Sequence, residues 1–240
     1  FVSAGFTDQA SNFSSGDYNY NRYNIRSNID AEITKDLSVS LDFAYRKTKL
    51  DKANFGVDEM YNSLQTAKPV YPITHEADPE RAASSGFLQR SPYHQTFKEF
   101  SGFQDNRNNV LQGALELKYK IPFVKGLVAK ARLNYEESFW WNKSVSKPFD
   151  VWEYDPVAAQ GGTDPWIKWG TQNKNSMNVS SGRSNELLPQ ISLNYDKMFG
   201  DHTIKAVLVG ETWTYKTTNL SGSRIDVLSF EAPYLNYASE

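Results

Sequence analysis

Cysteine is absent from the 240-residue chain, so neither a disulfide framework nor a thiolate metal site can form. No run of roughly 18 apolar residues occurs, which excludes a membrane-spanning helix. Neither sign of charge dominates: 26 Lys and Arg balance 28 Asp and Glu, for a net charge of −2. That balance leaves no electrostatic footprint for a polyanion, and no nucleic-acid partner is expected. Histidine is scarce. His75, His94 and His202 lie far apart, and an imidazole needs oriented partners to hold a metal or move a proton. His202 reads as a turn residue. HExxH, GxSxG, the P-loop and the dinucleotide glycine fingerprint are all missing. The chain is therefore expected to be no enzyme, with no catalytic residue, no metal and no cofactor. A glycoside hydrolase would need two carboxylates at a set separation, and the sequence locates no such pair.

What is present is alternation. In residues 23–33, Tyr23, Ile25, Ser27, Ile29, Ala31 and Ile33 take turns with Asn24, Arg26, Asn28, Asp30 and Glu32. In 37–45, Leu37, Val39, Leu41, Phe43 and Tyr45 alternate with Ser38, Ser40, Asp42 and Ala44. Period 2 is the strand signature. The intervening Thr34–Asp36 has the length of a hairpin turn. Pairing Ile33 with Leu37 puts Ile29 opposite Leu41 and Ile25 opposite Tyr45, so both apolar sets share one face. The pattern returns at 111–135, where the same logic pairs Gly113 with Tyr135 and Glu116 with Arg132. It returns again at 187–208, with Pro189 inside the run. Proline gives no ladder donor, so a bulge or strand end is expected there.

These runs predict seven strands, at about 1–7, 20–33, 37–49, 109–121, 127–141, 185–196 and 203–217. Short turns at 34–36, 122–126 and 197–202 alternate with longer segments at 8–19, 50–108, 142–184 and 218–240. A soluble β-sandwich has no reason to gather its long connections at one end. A transmembrane barrel does, with short periplasmic turns and long outer loops. The clean alternation runs about 9–11 residues, enough to cross a bilayer when tilted. Tyr23, Tyr45, Tyr119, Tyr135 and Tyr195 stand near the strand ends on the apolar face, as interfacial girdles do. A mean hydropathy of −0.61 does not count against this, because a barrel shows lipid only every second residue. The fold expected is all-β: an antiparallel transmembrane β-barrel segment. The chain starts mid-pattern, at Val2, Ala4 and Phe6 against Ser3, Gly5 and Thr7, and reads as part of a longer protein. A soluble β-sandwich glycan-binding module is the alternative.

Three stretches carry a resemblance. RYNIRSNIDAEITKDLSVSLDFAYRK, LELKYKIPFVKGLVAKARLNYEE and LPQISLNYDKMFGDHTIKAVLVGE together make about a third of the chain. They resemble barrel hairpins of SusC-like TonB-dependent outer-membrane transporters, most specifically in the Y-x-I-P-F-x-K-G-L and L-x-Y-x-x-x-F-G-x-H turns. The resemblance implies a plugged barrel of about 22 strands, of which seven would be one part. It implies a bacterial outer membrane, energy delivered by TonB through a plug that these residues do not contain, and a SusD-like surface lipoprotein as partner. It also implies uptake of oligosaccharides or peptides.

Candidate contact residues fall in two sets. Trp140, Trp141, Trp152, Tyr154, Trp166 and Trp169 crowd the second long loop. Such rings stack on sugar C–H faces, and they equally pack a long loop on itself. Arg26, Asp30, Asp42, Glu116 and Arg132 lie on the polar face and would look into a lumen. They equally serve as a charge ladder along the wall. Asp150, Asp155 and Asp164 share the tryptophan loop but match no cation-loop spacing. The loop at 50–108, rich in proline and aromatics, is expected to be an ordered extended excursion that could dock a partner. The sequons at Asn12, Asn142, Asn178 and Asn219 fall in expected loops and would be coincidental in a bacterial outer membrane.

Overall fold

The computed structural model describes residues 1–69, 72–74, 78–84 and 90–239. His75 and part of the 50–108 excursion lie outside the described residues. The main sheet runs β1 (Val2–Ala10), β2 (Tyr18–Glu32), β3 (Leu37–Ala53), β5 (Gly102–Lys120), β6 (Leu127–Ser146) and β9 (Ser176–Phe199), each antiparallel to the next. Beyond β9 lie β10 (His202–Glu211) and β11 (Thr214–Val227), which pair with the same edge end to end. They are one ribbon broken at Thr212 and Trp213, so the wall is seven ribbons wide. A short β12 (Ala238–Ser239) pairs with β11. The sheet is open, and its connections alternate short and long.

Register follows the apolar pattern. Ile29 pairs with Leu41, Ile25 with Tyr45, Gly113 with Tyr135 and Glu116 with Arg132. The Thr34 hydroxyl closes the first turn by accepting from the Leu37 amide at 3.0 Å. In the second turn Gly126 has φ +92°, and a Cβ there would strike the Asp196 carbonyl of β9. Glycine alone fits that close approach.

The sheet departs from expectation in three places. The third turn is tighter, because β9 runs to Phe199 and β10 starts at His202. Pro189 neither ends β9 nor bulges it; the neighbouring ribbon breaks instead. Pairing with β10 stops at Gln190, pairing with β11 starts at Leu187, and Thr212 donates to the Pro189 carbonyl at 3.2 Å. The missing donor is thus absorbed by an interruption in the partner. Finally, β3, β5, β6 and β9 run well past the alternating stretches at the loop end. There the clean alternation is lost: polar residues occur on both faces, and Ala53, Phe103, Val145 and Met177 enter the core at the loop end.

Among the described residues, the clusters of buried apolar side chains sit at the loop end. Ala53, Phe55 and Met60 pack with Phe13 and Tyr18. Ala82, Phe149 and Val151 pack with Phe100. Val145, Met177 and Val227 pack with Phe103, Phe230 and Leu235. The first long excursion is not extended. It holds α1 (Val57–Thr66), β4 (Ala82–Ala83) and the single turns α2 (Pro92–Gln95) and α3 (Lys98–Ser101). Asp58 and Glu59 favour the α1 N-terminus through its dipole, while Met60 and Ser63, three apart, are its buried side. The tryptophan loop holds β7 (Phe149–Tyr154), α4 (Pro156–Gln160) and β8 (Trp166–Gln172), which join β4 in a small second sheet.

That second sheet does not cover the apolar face of the wall. Ile29 is 53% exposed, Leu41 44%, Leu115 41% and Ile191 65%. A β-sandwich buries such a face under its other sheet.

Candidate functional site

The polar face carries a connected network. Asn28 on β2 donates to the Asp42 carboxylate on β3 at 2.6 Å. Arg132 on β6 lies 3.8 Å from Asp42 and 3.4 Å from Glu116 on β5. Its Nε donates to the Asn134 side chain at 2.9 Å. Ser40 donates to Asp30 at 2.5 Å, and Gln112 donates to Glu136 at 2.6 Å. Arg26, Asp42 and Arg132 line a groove of about 470 Å³ along this face, with Gln112, Glu136 and Glu186. Asp30 and Glu116 lie in the same row as Arg132, one row nearer the turns than Asp42. The arrangement alternates donors and acceptors across four strands, so the wall is cross-braced where it has no apolar core.

The six aromatic candidates do not form one cluster. Trp140 and Trp141 lie inside β6, not in a loop, and adjacent strand residues point to opposite faces. Trp140 takes the polar face and lies over Gly182 of β9; a Cβ on that glycine would meet its ring at 2.6 Å. Trp141 takes the apolar face, where the Arg107 guanidinium sits 4.8 Å from its ring centre. Trp152, Tyr154 and Trp166 gather on the small sheet. Tyr154 and Trp166 meet edge to face at 5.5 Å. Arg81 lies over Trp152 at 4.6 Å and over Trp166 at 5.2 Å, and is itself paired with Asp78 at 2.8 Å. These three rings border a cleft of about 330 Å³ with Pro72 and Pro156. Trp169 stands apart, at the β-bulge of β8, and is 43% exposed. The sequence pattern overlooked Trp213, which stacks on Tyr215 at 6.0 Å beside the ribbon break.

The loop aspartates are each engaged by neighbours. Asp150 accepts from Lys168 and Thr171, and its carboxyl is held below the ordinary range by the Lys168 hydrogen bond first and Thr171 second. Asp155 caps α4, accepting from the Val157 and Ala158 amides. Asp164 accepts from the Trp166 amide at 3.0 Å. His94 is buried in the cap. Its Nδ1 lies 2.8 Å from the Ser91 hydroxyl and its Nε2 lies 3.4 Å from the Pro79 carbonyl. The Phe100 and Tyr93 rings pack edge-on against it. Burial lowers its pKa, partly offset by the Pro79 carbonyl. His202 occupies the exposed third turn.

No family model matches the sequence, and no curated protein matches it. Among solved structures, the whole chain superposes on part of the RagAB peptide importer in its closed-closed state, with a TM-score of 0.66 and 12% identity. The 240 residues span 25% of that chain. The likeness establishes the fold, an antiparallel β-barrel segment.

Proposed function

We propose that the chain is part of the wall of an outer-membrane, TonB-dependent active transporter of the SusC-like kind. The observation that carries this reading is the two-faced wall. Across the wall, the half of one face nearer the turns is apolar and exposed, with Lys197 at the third turn its one charged residue on β2, β3, β5, β6 and β9, while the other face carries a braced polar network. Lipid suits the first face and a hydrated lumen suits the second. The alternation of short and long connections supports the same orientation, with turns in the periplasm and the core-bearing cap outside. In this reading Arg26, Asp30, Asp42, Glu116 and Arg132 look into the lumen. The chain contributes no catalytic step. Import is driven by TonB through a plug, and a SusD-like lipoprotein closes over the outer loops.

The cargo is an oligosaccharide or a peptide. The solved neighbour is a peptide importer. The aromatic cleft at Trp152, Tyr154 and Trp166, and Trp140 above the groove, offer rings to either. The experiment uses the full-length protein carrying this segment. It should require detergent for extraction and migrate differently on gels with and without heating. Recovery in plain buffer with no mobility change would contradict the proposal. Binding of labelled oligosaccharides and peptides to the purified complex then separates the two cargo classes.

A further inference from the structure

The apolar face changes character abruptly toward the loop end. On β2, β3, β5, β6 and β9, that face is uncharged from the turns up to the row Ser27–Phe43–Gly113–Tyr135–Leu187, apart from Lys197 at the third turn, whose ammonium lies over the Phe199 ring. Two rows further, at Lys47 and Arg183, cations begin. The next row brings Lys49 and Arg107, side by side across β3 and β5. Neither of these two rows carries a carboxylate on β3, β5, β6 or β9.

Like charges directly opposite repel unless an anion lies between them. The protein supplies part of that anion. Arg107 donates to Asp105 through Nε at 3.0 Å and through Nη2 at 2.5 Å, which leaves its Nη1 side for a further acceptor, and Lys49 lies 3.8 Å from Asp51; both carboxylates are one row higher. Arg183 is engaged by Glu137 at 2.6 Å. Lys47 meets no carboxylate within ion-pair distance among the described residues. The Arg107 and Lys49 side chains are 49% and 40% exposed. Trp141, an amphipathic ring of the kind that settles at membrane interfaces, lies beside Arg107.

We propose that Lys47, Lys49 and Arg107, with Trp141, form a binding site for the phosphate-bearing headgroup of an outer-leaflet lipid. The inference rests on the membrane-wall reading above. The lipid chains lie along the uncharged band below, against Phe43, Leu111 and Leu115. The phosphate oxygens accept from the two ammonium groups and the guanidinium fork. A free anion would use the cations without the band. A lipid with no net charge would use the band while leaving the cations underused. A phosphate lipid of net negative charge uses both.

The test takes the full-length protein in detergent and adds mixed micelles of phosphatidylglycerol or phosphatidylcholine. Retained lipid is counted by native mass spectrometry, and heat-dependent gel mobility is read on the same preparation. Phosphatidylglycerol should be retained over phosphatidylcholine by about tenfold. The triple variant Lys47→Gln, Lys49→Gln, Arg107→Gln should bring that ratio close to one. Arg183→Gln should leave it nearly unchanged, because Arg183 lies on β9, two strands from Arg107 and three from Lys47 and Lys49. An unchanged preference in the triple variant overturns the site. Equal retention of both lipids by the wild type, full displacement of phosphatidylglycerol by inorganic phosphate, or an equal loss in Arg183→Gln also overturns it. Loss of the preference in a barrel that keeps its heat-dependent mobility supports the site. Loss of that mobility in the wild type itself would instead defeat the membrane-wall reading.

Discussion

Along β6, Leu133 near the turn is 42% exposed, whereas Val145 toward the loops is fully buried. Both are aliphatic, both take the same side of the same strand, and the strand pairs on both edges at each. The difference lies in what covers them. Val145 is closed over by Met177, Val227 and Phe230, residues brought by neighbouring strands and the chain after β11. Leu133 has neighbours only within its own sheet. The cap therefore carries its own apolar core, as a water-soluble structure must, while the wall relies on something outside the chain to cover its apolar face.

The comparison breaks first at the wall. Leu41→Arg places a cation near the middle of the uncharged band and should destabilise the inserted barrel by about 2–4 kcal/mol. Refolding titrations of the full-length protein into lipid vesicles read this, and Leu41→Phe is the benign control. If the face meets water instead, Leu41→Arg will be nearly silent. Next comes the cap, where Val145→Ala should cost about 2 kcal/mol through lost burial and a cavity. It should speed proteolysis of the loops while leaving the heat-dependent mobility of the barrel intact. Loss of both together would show that wall and cap fold as one unit.

A smaller effect follows from His94. Its folded pKa lies below the ordinary value of about 6.5. The unfolded chain therefore takes up the proton first as pH falls. Cap stability is complete above the ordinary value and declines below it, by about 1 kcal/mol per pH unit through the window. His94→Phe should flatten the dependence of loop proteolysis between neutral and mildly acidic pH. The smallest effect is expected at Arg132. It is 39% exposed and its pairs with Asp42 and Glu116 are long, so Arg132→Met should cost about 0.5 kcal/mol, less at high salt. A denaturation midpoint that moves no more at low salt than at high salt would remove the bracing role.

The wall was legible in the sequence where each residue commits to one side. Ile25, Ile29, Leu41 and Leu115 fix both strand and register, because a one-residue slip would turn them to the polar face. The outer halves of the strands were not legible. Residues 102–110 and 142–146 lack the alternation, and their strand state comes from ladder partners supplied by distant segments. Helix α1 was missed for a related reason: ten residues in a proline-rich excursion are held by docking Met60 onto Phe55, a tertiary fact. The aromatic site was half legible. The expected strand 127–141 already reached Trp140 and Trp141, yet composition grouped them with the loop rings, whereas β6 sends the two to opposite faces. His94 looked idle in sequence because its partners, Pro79 and Phe100, meet it only in the folded cap.

The absence of cysteine permits a direct test of the wall. Single cysteines at positions 25, 29, 41 and 115, and at 26, 30, 42 and 116, would carry nitroxide labels in the membrane-reconstituted full-length protein. Collision rates with lipid-soluble oxygen and with a water-soluble nickel chelate should then alternate residue by residue. The first set should favour oxygen and the second the nickel reagent. Equal access of the nickel reagent to both sets would contradict the account, because it would place water on the face that lipid is required to cover.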